Sequence, residues 1–190
     1  MKERTSEQKP VVFTIGHSTK PVSEFVKIIK AYGIKRVVDI RTIPKSRHNP
    51  QFNEDTLRES LKAVKIGYLH MKGLGGLRHA LRDSPNMAWR NASFRGFADY
   101  MQTEEFEKNL EKLIEAAEKR ATVIMCAEAV PWRCHRSLVG DALLIRGVQV
   151  RHIMSASSSS DHTLTPWAEA KGTKITYPPN SPHQETAKSM

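Results

Sequence analysis

Between Ala121 and Gly147 the chain reads ATVIMCAEAVPWRCHRSLVGDALLIRG, and this stretch narrows the possible folds more than any other. Thr122, Val123, Ile124 and Met125 form a short apolar run of the kind a fully buried parallel strand requires. An amphipathic helix closed by Gly147 follows. Pro131 suits a first helical position, because its missing N–H has no partner there in any case and its φ is already helical. Cys134, His135 and Arg136 are therefore expected in or near the first helical turn. Free backbone N–H groups and the positive end of the helix dipole lower a thiol pKa there and attract anions. Both cysteines of the chain lie in this one loop.

The same strand-then-helix pattern recurs along the chain. Residues 11–15 read as a strand leading into Gly16, His17 and Ser18, and a helix follows that carries Pro21, takes its cap from Ser18 or Thr19 and closes at Gly33. Residues 34–40 form the second strand. Strand, helix and strand within so short a span make a right-handed unit whose strands run parallel, as neighbours or nearly so. A third helix capped by Asn53 or Asp55 is expected to bury Leu57, Leu61 and Val64. It ends at Gly67, before a brief strand at 68–71. From Gly76 to about Arg95 no periodicity appears, which marks a long functional loop or an irregular insertion. Residues 97–120 read as helix broken near Thr103, and residues 148–154 as a fifth strand. Ser155 to Ser160 reads as a loose turn, 164–170 as a short helix with Trp167 packed on the domain, and 175–177 as an edge strand.

The expected fold is an α/β single domain: an open, mostly parallel, Rossmann-like sheet of about five strands with helices on both faces. Its boundaries are a polar tail at 1–10, the α/β domain at 11–154, a C-terminal extension packed on it at 155–179 and a polar tail at 180–190. Two cysteines are too few for a disulfide scaffold, no N-terminal run has the apolar character of a signal peptide, and no stretch approaches the ~20 apolar residues of a membrane helix. The expectation is a cytoplasmic protein with reduced thiols and no membrane partner. Thirty Lys and Arg against twenty Asp and Glu leave a net charge of +10. That excess favours a polyanionic partner, either a phosphorylated small molecule or nucleic acid.

Ligands of such sheets bind beyond the carboxyl ends of the strands. There this chain places His17 and Ser18, then Asp39, Arg41, Ser46 and Arg47, then His70 and Lys72, then Cys126, Glu128, Arg133, Cys134, His135 and Arg136. His152 falls within the fifth strand. Three chemistries can use this set. The first is a thiolate nucleophile, with Cys134 preferred over Cys126 for its closeness to the helix dipole and His135 or His17 as the activating base. The second is a metal held by Cys126, Cys134 and His135 or His17, although the cysteine spacing lacks the close pair of common zinc sites. The third is anion recognition by Arg41, Arg47, Arg133 and Arg136. Glu128 is a candidate general base or an ion-pair partner for Arg133 or Arg136, and Asp39 orients Arg41. Gly73-Leu74-Gly75-Gly76 matches neither a phosphate-binding loop nor a dinucleotide fingerprint, so no nucleotide cofactor motif is present. His48, His79, His162 and His183 receive no role from spacing.

On these residues the chain resembles the family called domain of unknown function 488. The likeness rests on Thr14-Ile15-Gly16-His17-Ser18, Val38-Asp39-Ile40-Arg41 with Pro44, Ser46 and Arg47, Leu74-Gly75-Gly76, Val150-Arg151-His152-Ile153, and above all Cys126-Ala127-Glu128 followed by Cys134-His135-Arg136. It implies a compact α/β domain and no reaction. A weaker likeness is to rhodanese-type sulfurtransferases, with an Asp-x-Arg strand end and a cysteine opening a loop before a helix; Pro131 stands against a closed ring of N–H groups around Cys126. The expected function is an enzyme-like domain that binds a phosphorylated or nucleic-acid ligand. Its reactive centre is Cys126, Glu128, Cys134, His135 and Arg136, supported by His17, Asp39 and Arg41. The alternatives are a non-catalytic nucleic-acid-binding module and rhodanese-like sulfur transfer.

Overall fold

A strand buried on both faces needs helices above and below it, and the chain supplies them. The computed structural model describes residues 10–179. In it β1 (Val11–Gly16), β2 (Arg36–Asp39), β3 (Gly67–His70), β4 (Thr122–Cys126) and β5 (Gln149–Ile153) form a parallel sheet in the order β3-β2-β4-β1-β5. β1 and β2 run parallel but not adjacent, because β4 is inserted between them. On one face, α1 (Val22–Ala31) and α2 (Glu54–Ala63) bury Phe25, Ile28, Ile29, Leu57 and Leu61 against Ile15, Val37, Val123 and Met125. On the other, α3 (Ala92–Tyr100), α4 (Glu104–Lys119) and α5 (Arg136–Leu144) pack Phe97, Phe106, Leu110, Leu138 and Val139 on Val12, Val38, Ile124 and Val150. The result is an open α/β, Rossmann-like architecture. Among the described residues no helix is long and apolar enough to cross a membrane.

This winding positions the site. The chain leaves β1 and β2 toward the face of α1 and α2, but leaves β4 toward the face of α5. Connections that part in opposite directions open a crevice at the carboxyl end of β4. Gly16 pairs with Cys126 and Asp39 with Met125, so the three strands end level with one another.

Several local expectations are corrected. α1 has Pro21 at its N-cap with no side-chain cap, since Ser18 adopts a left-handed backbone and donates its N–H to the Ala127 carbonyl. Asn53 does precede α2, but its Oδ1 accepts from Ser46 N instead of capping. The helix expected over 97–120 is indeed broken at Thr103, whose hydroxyl caps α4 through Phe106 N; its first part starts earlier, at Ala92, behind the Asn91 cap. Pro131 opens a separate 3₁₀ turn, Pro131–Arg133, and α5 begins only at Arg136.

The serine-rich segment also differs. It folds back as β6 (Ser159–Asp161), antiparallel to β5 and tied to it by the Arg151–Asp161 ion pair. All three β6 residues are exposed, so no apolar alternation announces the strand in the sequence. No helix forms over 164–170, because Thr165 gives its N–H and hydroxyl to Asp141 and the chain continues into a ribbon of β7 (Glu169–Lys171) and β8 (Lys174–Thr176). Trp167 does pack on the domain, edge to face with Trp89. The polar tails at 1–10 (Pro10 excepted) and 180–190, with His183, lie outside the described residues.

Candidate active site

The crevice beyond β4 is a pocket of about 420 Å³. Cys126 and Cys134 line it, and Arg136 is buried behind them. Cys126 ends β4 and Cys134 follows the 3₁₀ turn; both are buried, both are free thiols, and their Sγ atoms are 2.9 Å apart. Arg136, the first residue of α5, is 1% exposed and turns its guanidinium back under the loop. Nη1 donates to Cys126 Sγ and to the Glu128 carbonyl, and Nη2 donates to the Ala129 carbonyl at 2.9 Å. Nε has no partner.

The two thiols are ordered opposite to the sequence expectation. Burial pushes the Cys126 thiol up, but the hydrogen bond from Cys134 and the charge of Arg136 outweigh it and bring it down to about 7. Cys134 moves well above the ordinary thiol range, because its proton is committed to Cys126, it is buried, and a thiolate stands beside it. The start of α5 does approach Cys134, with Arg136 N 3.5 Å from its Sγ, yet one long N–H contact does not offset a neighbouring negative charge.

Neither histidine is placed to activate Cys126. His17 stacks on Phe52 with centroids 4.2 Å apart, donates from Nδ1 to the Ser18 carbonyl and accepts from Arg41 Nη1 at Nε2. Its burial lowers its pKa to about 4, which leaves it neutral. His135 donates from Nε2 to the carbonyls of Ile40 and Leu74 and is likewise held neutral by burial, at about 4. Its Nδ1 lies 3.7 Å from Cys134 Sγ, not at Cys126.

The other expected residues separate into two groups. Asp39 is fully buried and accepts from Arg41 N, Nε and Nη2 and from the Tyr68 hydroxyl. Arg41 also reaches the Phe52 carbonyl, so this pair props up the pocket wall. Arg41, Arg133, Ser46 and Glu128 line the pocket, whereas Ser18 and Arg47 do not. Ser18 serves its turn, Arg47 is exposed, and His70 donates from Nε2 to the Arg41 carbonyl outside the pocket. Glu128 forms no ion pair with Arg133 or Arg136; its carbonyl, not its exposed carboxylate, holds Arg136. Among the described residues no group of three or more His, Cys, Asp or Glu side chains is arranged to hold a metal ion. Among the described residues no backbone N–H is directed at Cys126 Sγ; the carbonyls of Glu128 and Ala129 turn inward toward Arg136 instead, the reverse of a ring of N–H donors.

Sequence reasoning marked the stretch after Gly76 as a long functional loop or an irregular insertion without assigning it site residues, and missed one polar network. That stretch and the start of α3 supply a pocket wall with Gly76, Leu77, Asn91, Ser93 and Phe94. Asp99 of α3 stitches that stretch down by accepting from Leu81 N, Ser84 Oγ and Asn86 Nδ2. The network joins Asp141, His162, His152 and Thr14 in a chain with contacts of 2.8, 2.9 and 2.7 Å. Asp141 also accepts from the Tyr177 hydroxyl, so the network fastens the C-terminal segment to α5 and β1. Thr14 and His152 are 138 positions apart in the chain, and only the fold brings them together.

Gly16 is the tightest point of the site. A Cβ there would lie inside the van der Waals surface of the Glu128 carbonyl oxygen and 2.9 Å from Arg136 Nη1. Gly16→Ala is expected to push that carbonyl away, to cost roughly 1–3 kcal/mol of stability and to return Cys126 toward the ordinary thiol range. Denaturant midpoints and pH-dependent alkylation of the variant check both effects.

A family model described as Domain of unknown function DUF488 matches residues 21–143, well over half of the chain. The matched span runs from the residue before α1 to within α5 and contains the Cys126 to Arg136 loop. No curated protein and no solved structure matches the chain.

Proposed function

Because this chain belongs to the DUF488 family, whose description names no reaction, we propose its function from the site itself: a cysteine-dependent enzyme with Cys126 as the nucleophile, acting on an anionic ligand. One observation carries this reading. Arg136 is buried with no carboxylate among its partners, and its Nη1 is on Cys126 Sγ. An uncompensated buried guanidinium costs several kcal/mol. A Cys126 thiolate supplies the missing negative charge, and the same contact makes that sulfur a nucleophile at neutral pH. Cys134 supports it by donating its S–H.

The anionic ligand is supported by the pocket rim. Lys45 and Arg133 are exposed there, whereas Arg41, deeper in the wall, is neutralised by Asp39. A phosphorylated small molecule or a nucleic-acid phosphate, entering between them, places its reacting atom above Cys126. The net charge of +10 favours a second reading, a non-catalytic nucleic-acid-binding module. Sulfur transfer through Cys126 would use the same thiolate, without the N–H ring.

Alkylation by iodoacetamide with peptide mapping tests the proposal. Cys126 is expected to react with a half-maximal rate near pH 7, Cys134 to lag far behind it, and inorganic phosphate or a short oligonucleotide to protect Cys126. An inert Cys126, together with salt-steep oligonucleotide binding that is unchanged by Cys126→Ser, would favour the binding module. Reactive Cys126 without protection by any anion would remove the anionic ligand from the reading.

A further inference from the structure

We propose that Cys134 is the resolving thiol of Cys126, giving the site a two-electron dithiol–disulfide cycle in which a small hydroperoxide is the oxidant. The inference rests on the Cys126 thiolate argued above, and adds a second chemical step at the same sulfur. Three observations carry it: the distance between the sulfurs, the orientation of His135 and the depth of the pair.

The Sγ atoms are already 2.9 Å apart, so about 1 Å of movement brings them to the ~2.05 Å of a disulfide. Cys134 can supply that movement, since it sits in extended backbone between the Pro131–Arg133 turn and α5 and belongs to neither element. Beside it, the two carbonyls on His135 Nε2 fix that nitrogen as the donor and leave the lone pair on Nδ1. Nδ1 faces Cys134 Sγ at 3.7 Å, and Gly76 packs against this side of the ring. A neutral imidazole in that position is set to accept the Cys134 proton and has no other partner for Nδ1 among the described residues.

The Cys126 thiolate attacks the outer oxygen of a hydroperoxide ROOH; an S–O bond forms, the O–O bond breaks, and RO⁻ leaves to be protonated as ROH. Cys126 is now a sulfenic acid, oxidised by two electrons. Cys134 sulfur attacks Cys126 sulfur, its proton passing through His135 Nδ1 to the departing hydroxide, which leaves as water. The resulting disulfide is reduced by a small dithiol, which restores both cysteines and becomes a disulfide itself. The depth of the pair selects the oxidant: Cys126 and Cys134 are 2% and 4% exposed and open only to the pocket, which admits a small peroxide but not the in-line approach of a disulfide on a folded protein. Arg136 favours the reduced state, because disulfide formation removes the negative charge beside it; the disulfide is therefore an oxidising one, readily opened by dithiol.

The test treats the reduced full chain with stoichiometric hydrogen peroxide, blocks remaining thiols with iodoacetamide and maps the peptides. The expected result is loss of both thiols together, a linked Cys126–Cys134 peptide pair, an intact mass lower by two hydrogen atoms, and reversal by dithiothreitol. In Cys134→Ser, a dimedone-reactive sulfenic acid should accumulate on Cys126. Oxidation of wild-type Cys126 to the sulfinic acid while Cys134 stays alkylatable would overturn the resolving role and leave the nucleophile intact. A Cys126 that reacts with neither peroxide nor iodoacetamide, in wild type and variant alike, would overturn both. The wild-type map decides without the variant, should the variant fold poorly.

Discussion

Arg136→Met is expected to slow alkylation of Cys126 at pH 7 by roughly five- to eightfold and to move the half-point of its pH profile from about 7 up into the ordinary thiol range near 9. Two effects oppose each other. Removing the guanidinium leaves the Cys134 hydrogen bond as the main offset to burial, so the thiolate fraction at pH 7 falls from about half to about one per cent. The thiolate that remains is more basic, and with a Brønsted slope of roughly 0.4–0.5 it reacts several times faster per molecule. The population term wins. Above about pH 8 the order should reverse, with the variant reacting faster than wild type, and that crossing is the diagnostic. If the variant is uniformly slower at every pH, Arg136 shapes the loop but does not set the charge state of Cys126. Methionine fills most of the arginine volume, so the crossing can be read in a folded protein.

The fold should also be lost on mild acidification. His17, His135 and His152 are held neutral by burial, each at about 4 in place of 6.5. Between those two values the unfolded chain binds protons that the folded chain refuses. Stability is therefore complete above pH 6.5 and declines as the pH falls to 4. One pKa unit is worth about 1.4 kcal/mol, so His17 and His152, at 1% and 6% exposure, stand to withdraw a few kcal/mol each. A domain has about 5–15 kcal/mol in total. Urea denaturation at a series of pH values should show the midpoint falling steadily below 6.5. A midpoint that is flat down to pH 4.5 would mean these rings protonate without penalty in the folded state. His152 is the instructive member, because its Nδ1 is held at the Thr14 hydroxyl and its Nε2 at His162 Nδ1, so both ring nitrogens are buried in the chain that ends at Asp141. His152→Gln should remove part of the slope.

Much of the architecture was legible because parallel α/β folds write themselves locally. Apolar runs without alternation, at β1, β2 and β4, can only be strands covered on both faces. Gly33 and Gly147, both in the left-handed conformation, end the helical turns where the pattern ends. The edges were less legible. β6 carries no apolar residue, and its pairing depends on β5 lying open beside it. The stretch after Gly75 has no period because it forms no repeating backbone structure; its order comes from Asp99, a side chain on the next helix.

The site divides along the same line. That Cys126, Cys134, His135, Arg136, His17, Asp39 and Arg41 meet at one edge of a sheet was determined by the sequence, because strand ends in a parallel sheet all point one way. Their division of labour was decided by the tertiary structure. Cys134 is nearer the helix in sequence, yet Cys126 holds the lower pKa, since Cys134 donates to it and Arg136 folds back through ten residues to reach it. Arg41 is spent on Asp39, Arg47 faces solvent, and Glu128 contributes a carbonyl in place of a carboxylate. Charge states answer to burial and to neighbours in space, and neither is a property of spacing along a chain.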